Sequence, residues 1–311
     1  MNKQPLVSII MNCYNSDTYL REAIESVFDQ TYQNWEIIFW DNQSTDKSAE
    51  IINSYQDSRV KYFYAPEHTP LGEARNLAID KAIGEWVAIL DADDIWHKDK
   101  LKKSFEELNS CDNRKSVSLI YSKTVYIDKN GKVFHHYEEH YDGDIHQLLL
   151  TKGDFIFISS AIFRADVLRE VGKIDEGLHY CEDYDILLKV TKSYKSLCIN
   201  EFHTFYRVHD ENLTNSRVYD YEVENLKFLN DYVDENSPSL WLRVVLFLRN
   251  SQRVTAAMIK LALKKDFAHI NDMVKEYWHY MLLSPYYLFH FGIKVFYKKF
   301  VSPLVGHATA I

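Results

Sequence analysis

Two hydrophobic periods alternate along the first two hundred residues of the chain. Val7-Ser8-Ile9-Ile10-Met11 is a short, nearly continuous apolar run, as expected of a strand buried on both faces. It stops at the polar stretch Asn12-Cys13-Tyr14-Asn15. Leu20, Ile24, Val27 and Phe28 then recur at helical spacing, with Ser16 or Asp17 available as N-cap. Residues 36–40 predict a second strand, closed by Asp41-Asn42-Gln43-Ser44-Thr45-Asp46, and Ala49, Ile52 and Tyr55 mark the next helix. Residues 60–64 read as a weaker strand. Ala74, Leu77, Ala78 and Ala82 make a helical stripe with Gly84 as its stop. Residues 86–90 form the next apolar run, followed by a helix on Leu101, Phe105 and Leu108.

From Ser118 the pattern changes. Residues 119–121 and 124–127 read as short strands before a hairpin turn at Lys129-Asn130-Gly131. Residues 156–163 predict an apolar strand, then a short helix ending at Gly172. Cys181-Glu182-Asp183-Tyr184-Asp185 opens a helix carrying Ile186, Leu187 and Val190, and residues 205–209 close the region. Beyond about Ser216 only helical patterns remain. The expectation is an α/β domain over residues 1–215 and a helical region over 216–311. Strands alternating with helices imply a mostly parallel sheet with helices on its faces, and ligands of such sheets sit beyond the carboxyl ends of the strands. The first, second and fourth strands all end in polar loops, so three such loops meet at one edge.

The last of those loops, Asp91-Ala92-Asp93-Asp94, puts three carboxylates within four residues after a buried strand. Clustered carboxylates repel one another and are costly to desolvate without a positive partner. A hard divalent cation, Mg²⁺ or Mn²⁺, is the simplest one, and it keeps positions open for substrate phosphates. The competing reading is a solvated acidic turn capping the next helix. A net charge of −9 argues against general nucleic-acid binding and means that an anionic substrate needs local cations. Cys13, Cys111, Cys181 and Cys198 show no CxxC spacing and fit a reducing cytoplasm; the N-terminus has no signal-peptide pattern.

The runs VSIIMNCYN (7–15), WEIIFWDNQSTD (35–46), LGEARNLAIDKAIGEWVAILDADD (71–94), SSAIFRADVLREVGKIDE (159–176) and CEDYDILLKV (181–190) together resemble the family-2 glycosyltransferases. These are nucleotide-sugar-dependent enzymes with the Rossmann-like GT-A fold, and the resemblance covers roughly residues 5–215. It implies that Tyr14 stacks on the nucleobase, with Asn12 beside it. Asp41 and Asn42 occupy the place of an Asp-Asp pair that reads the base. Asn42 departs from that pattern, so a uridine donor is the expectation rather than a certainty. Arg75 would meet the diphosphate, where a forked guanidinium works well. Asp91 would touch the ribose or the metal's water shell, Asp93 would ligate the metal directly, and His209 would join it; Asp94 would cap the following helix. Asp183, with Glu182 beside it, matches the catalytic base, and Asp185 faces elsewhere.

The function so implied is inverting transfer of a sugar from a nucleotide-diphosphate donor to a hydroxyl of a glycan or lipid-linked acceptor, in cell-surface polysaccharide synthesis. The alternative is a catalytically silent nucleotide-sugar-binding or scaffold protein of the same fold. A nucleotidyltransferase ranks low, because no Gly-rich loop follows the first strand. Residues 280–305 combine aromatics with Lys294, Lys298 and Lys299 and are too interrupted to span a bilayer. They could sit peripherally at the inner face of the plasma membrane, or pack on the catalytic domain or on a second copy in a homo-oligomer.

Overall fold

A computed structural model describes residues 4–210, 212, 217–236 and 239–283. The chain divides into two compact units, Met1–Asn212 and Leu213–Ile311. The first is a nine-stranded sheet with helices on its faces. Its elements are β1 (Val7–Cys13), α1 (Asp17–Phe28), β2 (Trp35–Asp41), α2 (Ser48–Asn53), β3 (Val60–Tyr64), α3 (Leu71–Ile79), β4 (Trp86–Ile89), β5 (Ile95–Trp96) and α4 (Lys100–Ser110). There follow β6 (Val117–Ile127), β7 (Val133–Tyr137), α5 (His146–Lys152), β8 (Ile162–Arg164), α6 (Ala165–Val171), α7 (Glu182–Thr191) and β9 (Lys195–Arg207).

The strand order is β3-β2-β1-β4-β8-β6-β9-β5, with β7 paired to β6. Strands β3, β2, β1 and β4 run parallel, and β6 and β9 are parallel to each other; β8 joins the two halves antiparallel to both. Because β2, β1 and β4 are neighbours and parallel, their three polar loops emerge at one edge. One face of this sheet presents Val7, Ile9 and Met11 with Ile37 and Phe39. They pack with Leu20, Ile24 and Val27 of α1 and Leu101 and Phe105 of α4 in a buried core. Each such side chain removed from water stabilises the fold by ~1.5–3 kcal/mol, enough to fix the strand register and hence the loops above it.

Four local expectations are corrected. Gly84 does not stop α3, which ends at Ile79. A Cβ there would lie 2.7 Å from both the Leu6 carbonyl and the Ser8 nitrogen, so the residue is kept small by the backbone of β1 crossing it. Residues 119–127 form one strand rather than two. The apolar run 156–163 is a 3-10 turn (Ile158–Ser160) followed by the short β8, so its burial comes from packing and not from strand pairing along its length. Finally, β9 extends over 13 residues where only its end was expected. Its ladder with β6 shifts register three times, which breaks the alternation a sequence reading depends on.

The second unit contains α8 (Val218–Asn236), α9 (Leu240–Leu263), α10 (Phe267–Tyr277) and a 3-10 segment, Trp278–Leu283. Leu226, Val254, Ala257, Leu261, Met273 and Tyr277 form its core. Tyr280 donates to Asn230 Oδ1 (2.8 Å) and Arg253 pairs with Glu222 (2.9 Å). Among the described residues no helix is long and apolar enough to cross a membrane. Most of the expected interfacial tail, from residue 284 on, lies outside the described residues.

Candidate active site

On the β1–β2 side, the polar loop residues brace one another. Asn15 Oδ1 accepts from Thr45 N (2.7 Å), and Asp46 accepts from the backbone N–H of both Asp17 (2.9 Å) and Ser48 (2.9 Å), serving the starts of α1 and α2 at once. Ser16, at the N-cap position of α1, makes no side-chain cap. Asp41 is fully buried: Oδ1 accepts from Ser44 N (2.7 Å) and Oδ2 from the Tyr62 hydroxyl (2.7 Å). Asn42 donates through Nδ2 to Thr69 O (2.7 Å) and accepts at Oδ1 from Thr69 N (3.2 Å). Both side chains therefore hold loops at the edge where β1 and β2 end. An Asn at position 42 suits this task, because only an amide both donates to and accepts from one backbone unit.

Two residues on this side remain turned to a ligand's chemistry. Tyr14 is 51% exposed, and its ring lies 4.3 Å from that of His68, whose Nδ1 is 2.9 Å from the Asn42 carbonyl. The two rings are tilted 48° to each other. Asn12 has both side-chain polar atoms buried without a hydrogen-bond partner in the described structure, an arrangement that leaves an amide ready for one.

The other side is built from charges far apart in sequence. Arg75, on α3 and 2% exposed, donates from Nη1 to Glu182 Oε1 and from Nη2 to Asp91 Oδ1, both at 2.8 Å. Burial alone would lower the guanidinium pKa, but Asp91, Glu182 and Asp183 raise it above its ordinary value. Burial likewise pushes Glu182 up, to about 8, against the pull of Arg75 and with the Asp183 charge adding to the rise. Close approach of α3 to the start of α7 makes the bridge possible: a Cβ on Gly72 would lie 3.3 Å from that of Glu182. The terminal nitrogens of Arg75 tie the acidic loop after β4 to the start of α7. Asp91, expected at the ribose or the metal's water shell, accepts from Arg75 Nη2 at Oδ1, and its backbone N–H donates to Ser159 Oγ (3.2 Å).

Asp93 and His209 do meet. Asp93 Oδ2 lies 2.9 Å from His209 Nε2 and 3.4 Å from Asn212 Nδ2. Asn212 also accepts from His209 N at Oδ1 (2.6 Å), so it holds the histidine loop against Asp93. Arg207, at the end of β9 and 1% exposed, donates from Nε to the Asp93 carbonyl (2.9 Å) and from Nη2 to Glu22 (2.7 Å), with Tyr19 under its plane. Its backbone N–H donates to Asp94 Oδ1 (2.9 Å). Asp94 thus fastens the acidic loop to β9 and not to α4, whose N-cap is Asp99; burial and the neighbouring Asp93 and Asp91 charges push its carboxyl well above the usual range. Arg207, Asn212, Ser159 and His68 were not singled out as site residues from the sequence. The signal available was the spacing Arg207-x-His209-x-x-Asn212 at a strand end.

This donor set suits a hard-to-borderline divalent ion: one carboxylate and one imidazole match Mn²⁺ better than Mg²⁺. No group of three or more His, Cys, Asp or Glu able to hold an ion forms among the described residues. The protein side therefore fits a cation whose remaining ligands come from elsewhere, such as a diphosphate.

Asp183 is the second residue of α7, whose N-cap is Cys181. Its Oδ1 accepts from Tyr184 N (2.7 Å), and it is more exposed than buried Glu182. Asp185 accepts from Asp175 N (2.9 Å) and Lys189 Nζ (2.7 Å), turned to the scaffold.

The architecture is that of the GT-A glycosyltransferases. A mannosyltransferase, PcManGT from Pyrobaculum calidifontis, in complex with GDP-Man and Mn²⁺, superposes with a TM-score of 0.60 at 17% identity, covering 96% of this chain and 89% of that one. S. aureus TarS (residues 1–349, with UDP-GlcNAc) superposes with a TM-score of 0.57 at 17% identity, covering 88% and 91%. Residues 8–172 match the family model "Glycosyl transferase family 2". An uncharacterized glycosyltransferase of Methanocaldococcus jannaschii is 33% identical over 69% of this chain and 75% of its own length. A putative teichuronic acid biosynthesis glycosyltransferase, TuaG of Bacillus subtilis, is 42% identical over 34% of this chain and 42% of its own. The chain belongs to glycosyltransferase family 2.

Proposed function

We propose that this chain is a metal-dependent, inverting glycosyltransferase that moves a sugar from a nucleotide-diphosphate donor, UDP-linked, to a hydroxyl of a glycan or lipid-linked acceptor in cell-surface polysaccharide assembly. One observation carries the reading. Arg75 joins Asp91 and Glu182 across 107 residues of sequence, which supports taking the acidic loop bearing Asp93 and the helix start bearing Asp183 as parts of one site. The acceptor class draws support from the likeness to TuaG.

Asp183 acts as the base. Its Oδ1 is oriented by the Tyr184 N–H, and Oδ2 accepts the proton of the acceptor hydroxyl as that oxygen attacks the sugar's C1 from the face opposite the diphosphate. Burial raises the Asp183 pKa above the usual aspartate value against the pull of Arg75, which makes it a better proton acceptor as attack proceeds. Asp93 and His209 hold the cation, which when bound supplies positive charge to the leaving diphosphate. Tyr14 and His68 stack on the base, and the Asn12 amide bonds to the nucleotide. Arg75 is a positioning residue that fixes Asp91 and Glu182.

The test is a panel of UDP- and GDP-sugars with Mn²⁺, following nucleotide release with and without EDTA. Asp183→Asn lowers turnover ~10²–10⁴-fold while Mn²⁺-dependent nucleotide binding by calorimetry stays near that of the parent. A silent scaffold would bind nucleotide and release none. An Asp183→Asn variant at parental rates would remove Asp183 from the role of base.

A further inference from the structure

Helix α1 reaches both residues assigned to the cation, without itself supplying a ligand. Tyr19 and Glu22 stand three positions apart in its first two turns, so they share one face. The Tyr19 ring centre lies 5.2 Å from that of the His209 imidazole, tilted 46° to it, and the Arg207 guanidinium sits 4.4 Å from the centre of the same ring. Glu22 Oε2 accepts from Arg207 Nη2 at 2.7 Å, and Arg207 Nε donates to the Asp93 carbonyl at 2.9 Å. One helix face therefore touches His209 directly and Asp93 through a single buried arginine.

That arginine would by itself oppose a divalent ion. Its charge is almost fully buried beside Asp93, and like charges at close range repel most strongly where water is scarce. Two features relieve the conflict. Arg207 takes the carbonyl oxygen of Asp93 and not its carboxylate, which leaves Oδ2 with His209 Nε2 and Asn212 Nδ2. Glu22 sets an opposite charge against the guanidinium, from a side chain that is 53% exposed and therefore open to screening by salt. Tyr19 serves both neighbours: its π face takes the guanidinium, and its bulk limits the swing of the imidazole whose Nε2 lies 2.9 Å from Asp93 Oδ2.

We propose that Tyr19 and Glu22 are positioning residues for the metal: Tyr19 orients His209, and Glu22 neutralises Arg207 so that Asp93 stays available to a divalent ion. The inference rests on the assignment of Asp93 and His209 to the cation. The experiment is electron paramagnetic resonance of free Mn²⁺ titrated with the full chain and UDP, with Mg²⁺ as competitor. Tyr19→Leu weakens Mn²⁺ about tenfold and Mg²⁺ less, because imidazole is the ligand that favours Mn²⁺. Tyr19→Phe keeps the ring and the parental affinity. Glu22→Gln weakens both ions about threefold, a loss that shrinks as salt rises. This second variant alters a half-exposed side chain, so it carries the test even if Tyr19→Leu fails to fold. A loss in Tyr19→Leu that is equal for both ions and shared by Tyr19→Phe would overturn the role of Tyr19, and a Glu22→Gln variant at parental affinity in low salt would overturn that of Glu22. His209→Ala separates the two levels of the account. If it loses Mn²⁺ while Tyr19→Leu and Glu22→Gln keep it, the positioning role falls and the metal assignment stands. If His209→Ala also keeps Mn²⁺, or the parent takes up none, both fall.

Discussion

The two sides of the site are assembled by different means. Around β1 and β2, side chains about 30 residues apart or fewer stitch neighbouring loops with hydrogen bonds that, those of Asp41 apart, join neutral groups: Asn15 to Thr45, Asn42 to Thr69, Asp41 to Ser44 and Tyr62. Around β4, α7 and β9 the links are charged and long: Arg75 reaches Glu182 over 107 positions, and His209 reaches Asp93 over 116. The first side is a scaffold that forms as its own hairpins of chain close. The second exists only once the whole sheet is in place, so its integrity and its chemistry fail together. That contrast governs how each side should respond to substitution.

Replacing Arg75 should have the largest effect on stability. Arg75→Met takes the hydrogen-bond donor from buried Glu182 and from Asp91 at once, which costs about 1–3 kcal/mol for each acceptor left unsatisfied, and thermal unfolding should show it as a large drop. If Arg75 served only a diphosphate, the melting temperature of the ligand-free protein would not move. Asn212→Ala comes next. It removes the side chain that supports both His209 and Asp93, and outer partners of this kind are worth about 10–100-fold in metal affinity. Calorimetry with Mn²⁺ and UDP should report that loss with little change in unfolding; an unaltered affinity would mean that Asn212 does not orient the pair.

On the neutral side, Asn42→Asp replaces the donor to Thr69 O by a second acceptor. The expected cost is about 1–3 kcal/mol of stability, with the ratio of UDP to GDP affinity unchanged. A switched base preference at parental stability would return Asn42 to the nucleobase. The last effect is a pH dependence beneath the charged side, spread over about three pH units. Lys100 is fully buried and donates to Ser160 O (2.8 Å), Ser122 Oγ (3.2 Å) and Thr204 Oγ1 (3.2 Å). Burial lowers its pKa to about 7, against roughly 10.4 in an unfolded chain. Between those values the unfolded state holds the extra proton, so this residue makes stability rise with pH, by up to about 1.4 kcal/mol per unit. Lys100→Met should flatten the rise seen in denaturant titrations from pH 7 to 10; an unchanged slope would assign the dependence to other groups.

The same contrast explains what could be read in advance. The parallel half of the sheet and its three polar loops follow from local apolar runs at Val7, Ile37 and Val87, since each strand is buried on both faces. The acidic loop and the Glu182-Asp183 pair were visible as residues, and their neighbours in space were not. Arg75 looked like a phosphate ligand because nothing in a helix sequence reveals a carboxylate 107 positions away. Lys100 sat among surface lysines of α4 and turned out to be core. Arg207 and Asn212 escaped because their partners Glu22, Asp93 and Asp94 lie more than a hundred positions away in sequence. Asn42 was read from its position in a loop, and its bonds to Thr69, 27 positions away, could not be.

Anomalous diffraction at the manganese edge, from crystals grown with Mn²⁺ and UDP, tests the central assignment most directly. The account predicts one strong peak within bonding distance of Asp93 Oδ2 and His209 Nε2, with diphosphate oxygens completing the shell and Asp183 across the sugar position. A peak coordinated by other residues, or a diphosphate bound away from Asp93 altogether, would contradict it.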